Sequence, residues 1–146
     1  MKYKEKIKPN KLVVGVMPEG PIAFDGKKYR YSRGERVYLD LLAKNFKELK
    51  LISCVLRNGH PSYETCIHSP FESQNLSVFE LPNVKVKSVS LYEKSIQFLK
   101  IFIYLFRVIP KVDILYLFLP SYPSAIGWLV ARFFRKVYFV YGADDW

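Results

Sequence analysis

Asp144 and Asp145 stand side by side just after the apolar run 137–141 (VYFVY) and Gly142. Adjacent carboxylates behind a strand-like segment can act as a base, a metal ligand or an acceptor for a hydroxyl, and they serve equally well as turn residues or helix caps. A second group is basic. Arg30, Arg33 and Arg36 surround Ser32 and Gly34, and Ser32 and Glu35 have the spacing of a capping box. A helix starting there would turn free N–H groups and a positive dipole end toward an anion such as a phosphate. Gly20 upstream permits close approach of backbone to a ligand. His60, Cys66 and His68 fall in one stretch, but a tight metal site takes three or four ligands and no fourth candidate has a recurring spacing here, so no metal ligand is assigned. The chain's two histidines share that stretch, which leaves no Ser/His/Asp or Cys/His triad for hydrolase chemistry. Neither G-x-G-x-x-G nor G-x-x-x-x-G-K-[ST] occurs, and no cofactor is expected.

The elements that must carry these residues follow from periodicity. Residues 11–17 (KLVVGVM) read as a buried strand, followed by a long charged loop to Ser32. A helix is expected from Ser32 to about Leu49, with Val37, Tyr38, Leu41, Leu42, Phe46 and Leu49 on one side. Residues 51–57 are a second strand, 58–77 a surface loop, and 77–81 and 84–90 short strands around Pro82. Residues 93–109 read as a helix closed by Pro110, whose polar positions Glu93, Gln97, Lys100, Tyr104, Arg107 and Lys111 form one narrow stripe. The remaining face is wider than one sheet requires, and it suits either burial beneath a second element or an in-plane helix on a membrane surface. A strand at 112–119, a helix at 123–134 and a strand at 137–141 complete the pattern. The alternation predicts an α/β, Rossmann-like parallel sheet with helices on both faces. On such a sheet the informative positions are the loops after strands: 18–32, 120–124 and 142–146.

Composition bounds the rest. With 146 residues, 50% hydrophobic and 16% aromatic, the chain suits a single domain over 1–146 with a sizeable core, which excludes disorder and low complexity. The net charge of +10 is local, since residues 1–50 hold 13 basic and 6 acidic side chains. This favours anionic partners, but no helix-turn-helix, RNP-type strand or zinc finger directs it at nucleic acid, which is not expected as a partner. The apolar run 12–17 is too short for a signal peptide, and two cysteines are too few to staple the domain, so a cytoplasmic location is expected. The uncharged stretch 114–131 approaches the length of a membrane span, but Pro120 and Pro123 divide it into a strand and a helix.

Two segments resemble a known family. GERVYLDLLA at 34–43 is similar to the first-helix signature E-R-V-x-x-x-L-A of the family-4-like GT-B glycosyltransferases, which follows a small-residue loop. The strand, Pro/Ser loop, helix and strand from Val112 to Trp146, ending in YGADDW, resemble the family's strand ending in H-G-D-D-W-like residues. Ser32 and Arg33 stand where the family often has a Gly pair, and Tyr141 where it commonly has His.

The resemblance implies the acceptor-side half of a GT-B architecture, with the C-terminal donor domain absent. Its implied partners are a nucleotide-sugar, a saccharide or lipid-linked acceptor, and a donor-binding half in cis or on a separate chain. The implied activity is sugar transfer in cell-surface polysaccharide or glycolipid synthesis. Asp144 would be the catalytic residue, as base or hydroxyl acceptor, and Gly20, Ser32, Arg33, Gly34, Arg36, Tyr141 and Gly142 would bind substrate. The basic first third and the wide apolar helix face suit a peripheral position on the anionic inner face of the cell membrane. The alternative is a non-catalytic subunit that anchors or recruits the donor-binding chain.

Overall fold

The structure is a computed structural model, and it describes residues 8–31, 33–60, 63, 69–82, 90–119 and 121–142. In chain order its elements are β1 (Val13–Met17), β2 (Ile22–Phe24), β3 (Tyr29–Tyr31), α1 (Arg33–Ala43), β4 (Glu48–Arg57), β5 (Ser69–Pro70), β6 (Leu76–Leu81), α2 (Leu91–Val108), β7 (Ile114–Leu119), α3 (Tyr122–Phe133) and β8 (Val137–Gly142). Five parallel strands run β6-β4-β1-β7-β8, so the chain turns back between β1 and β7. This is the strand order of a Rossmann-like domain, and the reversal marks the crevice where such sheets take ligands.

Side chains alternate across the sheet. Val14, Val16, Leu49 and Leu51 face α1, packing with its Leu39 and Ala43, while Tyr116 and Phe118 lie on the same side. Met17, Ile52, Leu115 and Leu117 face the other way, against Ile101, Leu105 and Val108 of α2 and Ile126, Val130 and Ala131 of α3. The helices therefore cover both faces, as the alternation predicts. Each helix on the α2/α3 face starts at a serine. Ser90 and Glu93 form a reciprocal capping box on α2, and the Ser121 hydroxyl accepts from the Ser124 N–H on α3.

Three expectations are corrected. The first helix ends at Ala43 rather than near Leu49. The turn that follows is held by the Asn45 side-chain amide, which donates to the Leu41 carbonyl, and Leu49 is buried on β4 instead. Leu49 fits both a helical and an alternating period, and β4 wins because residues 48–51 pair with β1 and 49–54 with β6.

The charged segment 18–32 is also more than a loop. β2 and β3 form a hairpin around Gly26, which has a positive φ of 93°, and the Asp25 carboxylate accepts from the N–H groups of Lys27 and Lys28. β2 lies beside the end of the ten-residue β4, on the same side as β1, so β1 and β2 are one strand line broken by Pro18-Glu19-Gly20-Pro21. Prolines cannot donate to a ladder, and the buried Ser53 hydroxyl donates to the Gly20 carbonyl inside the break. In the expected loop 58–77, Ser69–Pro70 joins β3 as a short strand and Leu76 already belongs to β6. The strand expected at 84–90 lies, except for Ser90, outside the described residues.

Candidate functional site

The break after β1, the first turns of α1 and the ends of β7 and β8 enclose a cavity of about 440 Å³ at the switch point. Pro18 and Glu19 come from the break and Tyr31 from the end of β3. Gly34, Glu35, Tyr38 and Leu39 come from α1, Tyr116 and Phe118 from β7, and Tyr141 from β8. The period of two along β7 turns Tyr116 and Phe118 to the same face, and helical spacing puts Glu35, Tyr38 and Leu39 on one side of α1.

One hydrogen bond shapes the floor. The Gly20 N–H donates to the Tyr31 hydroxyl at 3.4 Å, and the Glu35 carboxylate lies near that hydroxyl. Burial, followed by the negative charge of Glu35, pushes the Tyr31 phenol well above its ordinary range, so it stays protonated beside that carboxylate. Tyr116 is raised by burial and by the neighbouring Tyr38 hydroxyl. The walls are rings set at angles: Tyr116 and Phe118 lie 5.3 Å apart at 57°, and Phe118 and Tyr141 5.3 Å apart at 58°.

The cavity brings together only part of the expected set. Gly34 and Tyr141 line it. Gly20 contributes indirectly, through the N–H that holds Tyr31. Gly142 ends β8 beside Leu119 and is not part of the lining. Arg33 opens α1, and its side chain lies outside what is described, as do Ser32 and the expected catalytic Asp144.

Arg36 points elsewhere. Its Nη1 donates to Asp40 at 3.2 Å, to the Pro70 carbonyl at 3.1 Å and to Glu72 at 2.9 Å, while Asp40 also accepts from the N–H groups of Glu72 and Ser73. It fastens α1 to the segment between β5 and β6. Arg30 is held by Asp25 at 2.6 Å. The phosphate cradle expected from the arginines is therefore not what the described residues build: their charged contributions to the lining are Glu19 and Glu35. No group of acidic, His or Cys side chains suited to a metal ion occurs among the described residues.

The residues missed from sequence are Glu19, Tyr31, Glu35, Tyr38, Tyr116 and Phe118. Glu35 was legible only as a cap and Tyr38 only as part of an apolar helix face. The usable signal was the recurrence of tyrosine, an apolar ring with a polar tip, in or beside the loops that follow strands.

These features define a Rossmann-like α/β domain with an aromatic cavity at its switch point. No protein-family model matches the chain, and no curated protein matches it. Among solved structures it is similar to the C-terminal domain of a hydrogenase from Pyrococcus furiosus, at 7% identity and a TM-score of 0.48, over 97% of this chain and 98% of that one. It is also similar to a putative UDP-N-acetylglucosamine 2-epimerase from Listeria monocytogenes, at 13% identity and a TM-score of 0.46, over 89% of this chain and 30% of that one. These likenesses are loose, and the fold assignment rests on the strand order.

Proposed function

We propose that the chain is the acceptor-side domain of a GT-B glycosyltransferase and that the cavity at the switch point receives a saccharide acceptor. The observation that carries this reading is the lining. Tyr31, Tyr38, Tyr116, Phe118 and Tyr141 offer flat apolar faces for the C–H side of a sugar ring, and Glu19 and Glu35 offer acceptors for its hydroxyls. The resemblance of residues 34–43 and of the closing strand to the family supports the same assignment. A donor half facing the cavity, in cis or on a separate chain, would supply the nucleotide-sugar. Asp144 follows β8 within two residues of Gly142 and is the base proposed to take the acceptor's proton.

A surface outside the cavity suits a lipid-linked acceptor. The α2 apolar face is covered in two ways: Ile101, Leu105 and Val108 meet the sheet, and Phe98, Phe102 and Phe106 lie in an aromatic cluster with Tyr122, Phe133 and Phe134. Tyr92, Leu99 and Ile103 remain exposed beside Lys100 and Arg107. That mixture is the one that seats an in-plane helix on an anionic membrane. None of the described helices is long and apolar enough to cross a membrane.

Calorimetric titration with a panel of neutral monosaccharides tests the acceptor site. Binding that weakens about tenfold in Tyr38→Ala is expected, the loss of one stacking face being worth on the order of 1 kcal/mol. Absence of binding across the panel, or binding indifferent to Tyr38→Ala and Phe118→Ala, would overturn the reading.

A further inference from the structure

The cavity combines aromatic ring faces with carboxylates. In a chain with a net charge of +10, the charged side chains that the described residues contribute to this lining are both carboxylates, Glu19 and Glu35. Four tyrosines and a phenylalanine surround them, and the successive tilts of Tyr116, Phe118 and Tyr141 turn ring faces around a corner rather than stacking them flat. Ring faces carry the negative end of the aromatic quadrupole, so rings set around a space attract a cation there. The two carboxylates add charge of the same sign, and Glu35 lies near the Tyr31 hydroxyl.

We propose that the cavity is a binding site for an organic ammonium group, enclosed by Tyr38, Tyr116, Phe118 and Tyr141 and neutralised by Glu19 and Glu35. The inference rests on the reading of the cavity as an acceptor site and narrows the acceptor to an amine-bearing saccharide. Among the described lining residues a phosphate-bearing ligand would meet two like charges, whereas an ammonium would meet two opposite ones. An ammonium gains attraction from both carboxylates and from the ring faces as well. The cavity volume leaves room for a sugar ring behind the charged group.

Three probes separate the two claims: tetramethylammonium, which is a cation without a sugar; glucose, a sugar without a charge; and glucosamine below the pKa of its amine, which is both. Calorimetry on the wild-type chain is expected to show binding of tetramethylammonium, and glucosamine binding about tenfold or more tighter than glucose. Glu35→Gln, which keeps the side chain's size and an acceptor oxygen, should remove most of that preference by weakening glucosamine far more than glucose. Glu19→Gln provides a second variant with an exposed starting residue. Equal binding of glucose and glucosamine with no uptake of tetramethylammonium overturns the ammonium site and leaves the saccharide reading standing. Tetramethylammonium bound with neither sugar taken up supports the ammonium site and overturns the saccharide reading. Tetramethylammonium binding that ignores both Gln variants places the cation elsewhere and overturns the proposal.

Discussion

At the scale of single residues, Gly34 and Asp25 make opposite points about side chains that look special in sequence. Gly34 lines the cavity in α1, has no positive φ, and a Cβ built on it would meet nothing within 4 Å. The fold therefore does not require glycine there, and Gly34→Ala should raise stability by roughly 0.5–1 kcal/mol through helix propensity. A ligand that presses against this backbone would bind the variant more weakly. Denaturant unfolding beside a saccharide titration reads both effects, and a loss of stability in Gly34→Ala would contradict the open space.

Asp25 looked like one more charge in a basic loop, yet it organises the β2–β3 turn. Its carboxyl is lowered from 3.8 to about 2 by the N–H groups of Lys28 and Lys27 and by Arg30. Because the folded value lies below the unfolded one, the stabilisation is fully present above 3.8 and disappears as the pH falls toward 2. Asp25→Asn should make the decline of stability across that window shallower, measured by denaturant midpoints at stepped pH. An unchanged slope would mean that the carboxylate is not held as described.

At the scale of elements, the contact between α3 and β1 is set by an absent side chain. Gly127 is buried against Met17, and a Cβ added to it would run into the Met17 sulfur. Met17 is itself fully buried, so its flexible tail has little room to swing away. Gly127→Ala should destabilise the domain by about 1–3 kcal/mol despite the better helix propensity of alanine, and shortening the neighbour in Gly127→Ala/Met17→Val should recover part of that loss. A thermal melt of the two variants decides it; a stabilised Gly127→Ala would show that α3 sits farther from β1. Capping belongs to this scale too. Ser90 starts α2 with a capping box that the 93–109 periodicity did not reveal, because the residues before Glu93 carry no helical repeat of their own.

At the scale of the whole molecule, the basic surplus and the uncovered part of α2 bear on where the protein resides. If Tyr92, Leu99 and Ile103 rest on a bilayer with Lys100 and Arg107 at its phosphates, the chain should float with vesicles containing phosphatidylglycerol and much less with phosphatidylcholine alone. Lys100→Glu/Arg107→Glu should abolish the difference, and equal recovery on both lipids would remove the electrostatic contribution. The sequence by itself determined the α/β class and the approximate position of most strands and helices, because period-two and helical spacing are local consequences of backbone geometry. It also pointed to the loops behind the strands, and the cavity that Gly34 and Tyr141 line lies there. Only the tertiary structure decided which side chains meet there. Arg36 could not be seen to belong to Glu72, which lies 36 residues away, nor Tyr29 to Glu80, before the strands were paired. Periodicity places a residue on a face of its own element, whereas the character of a cavity depends on which faces the crossovers bring together, and among the described residues these are aromatic and acidic.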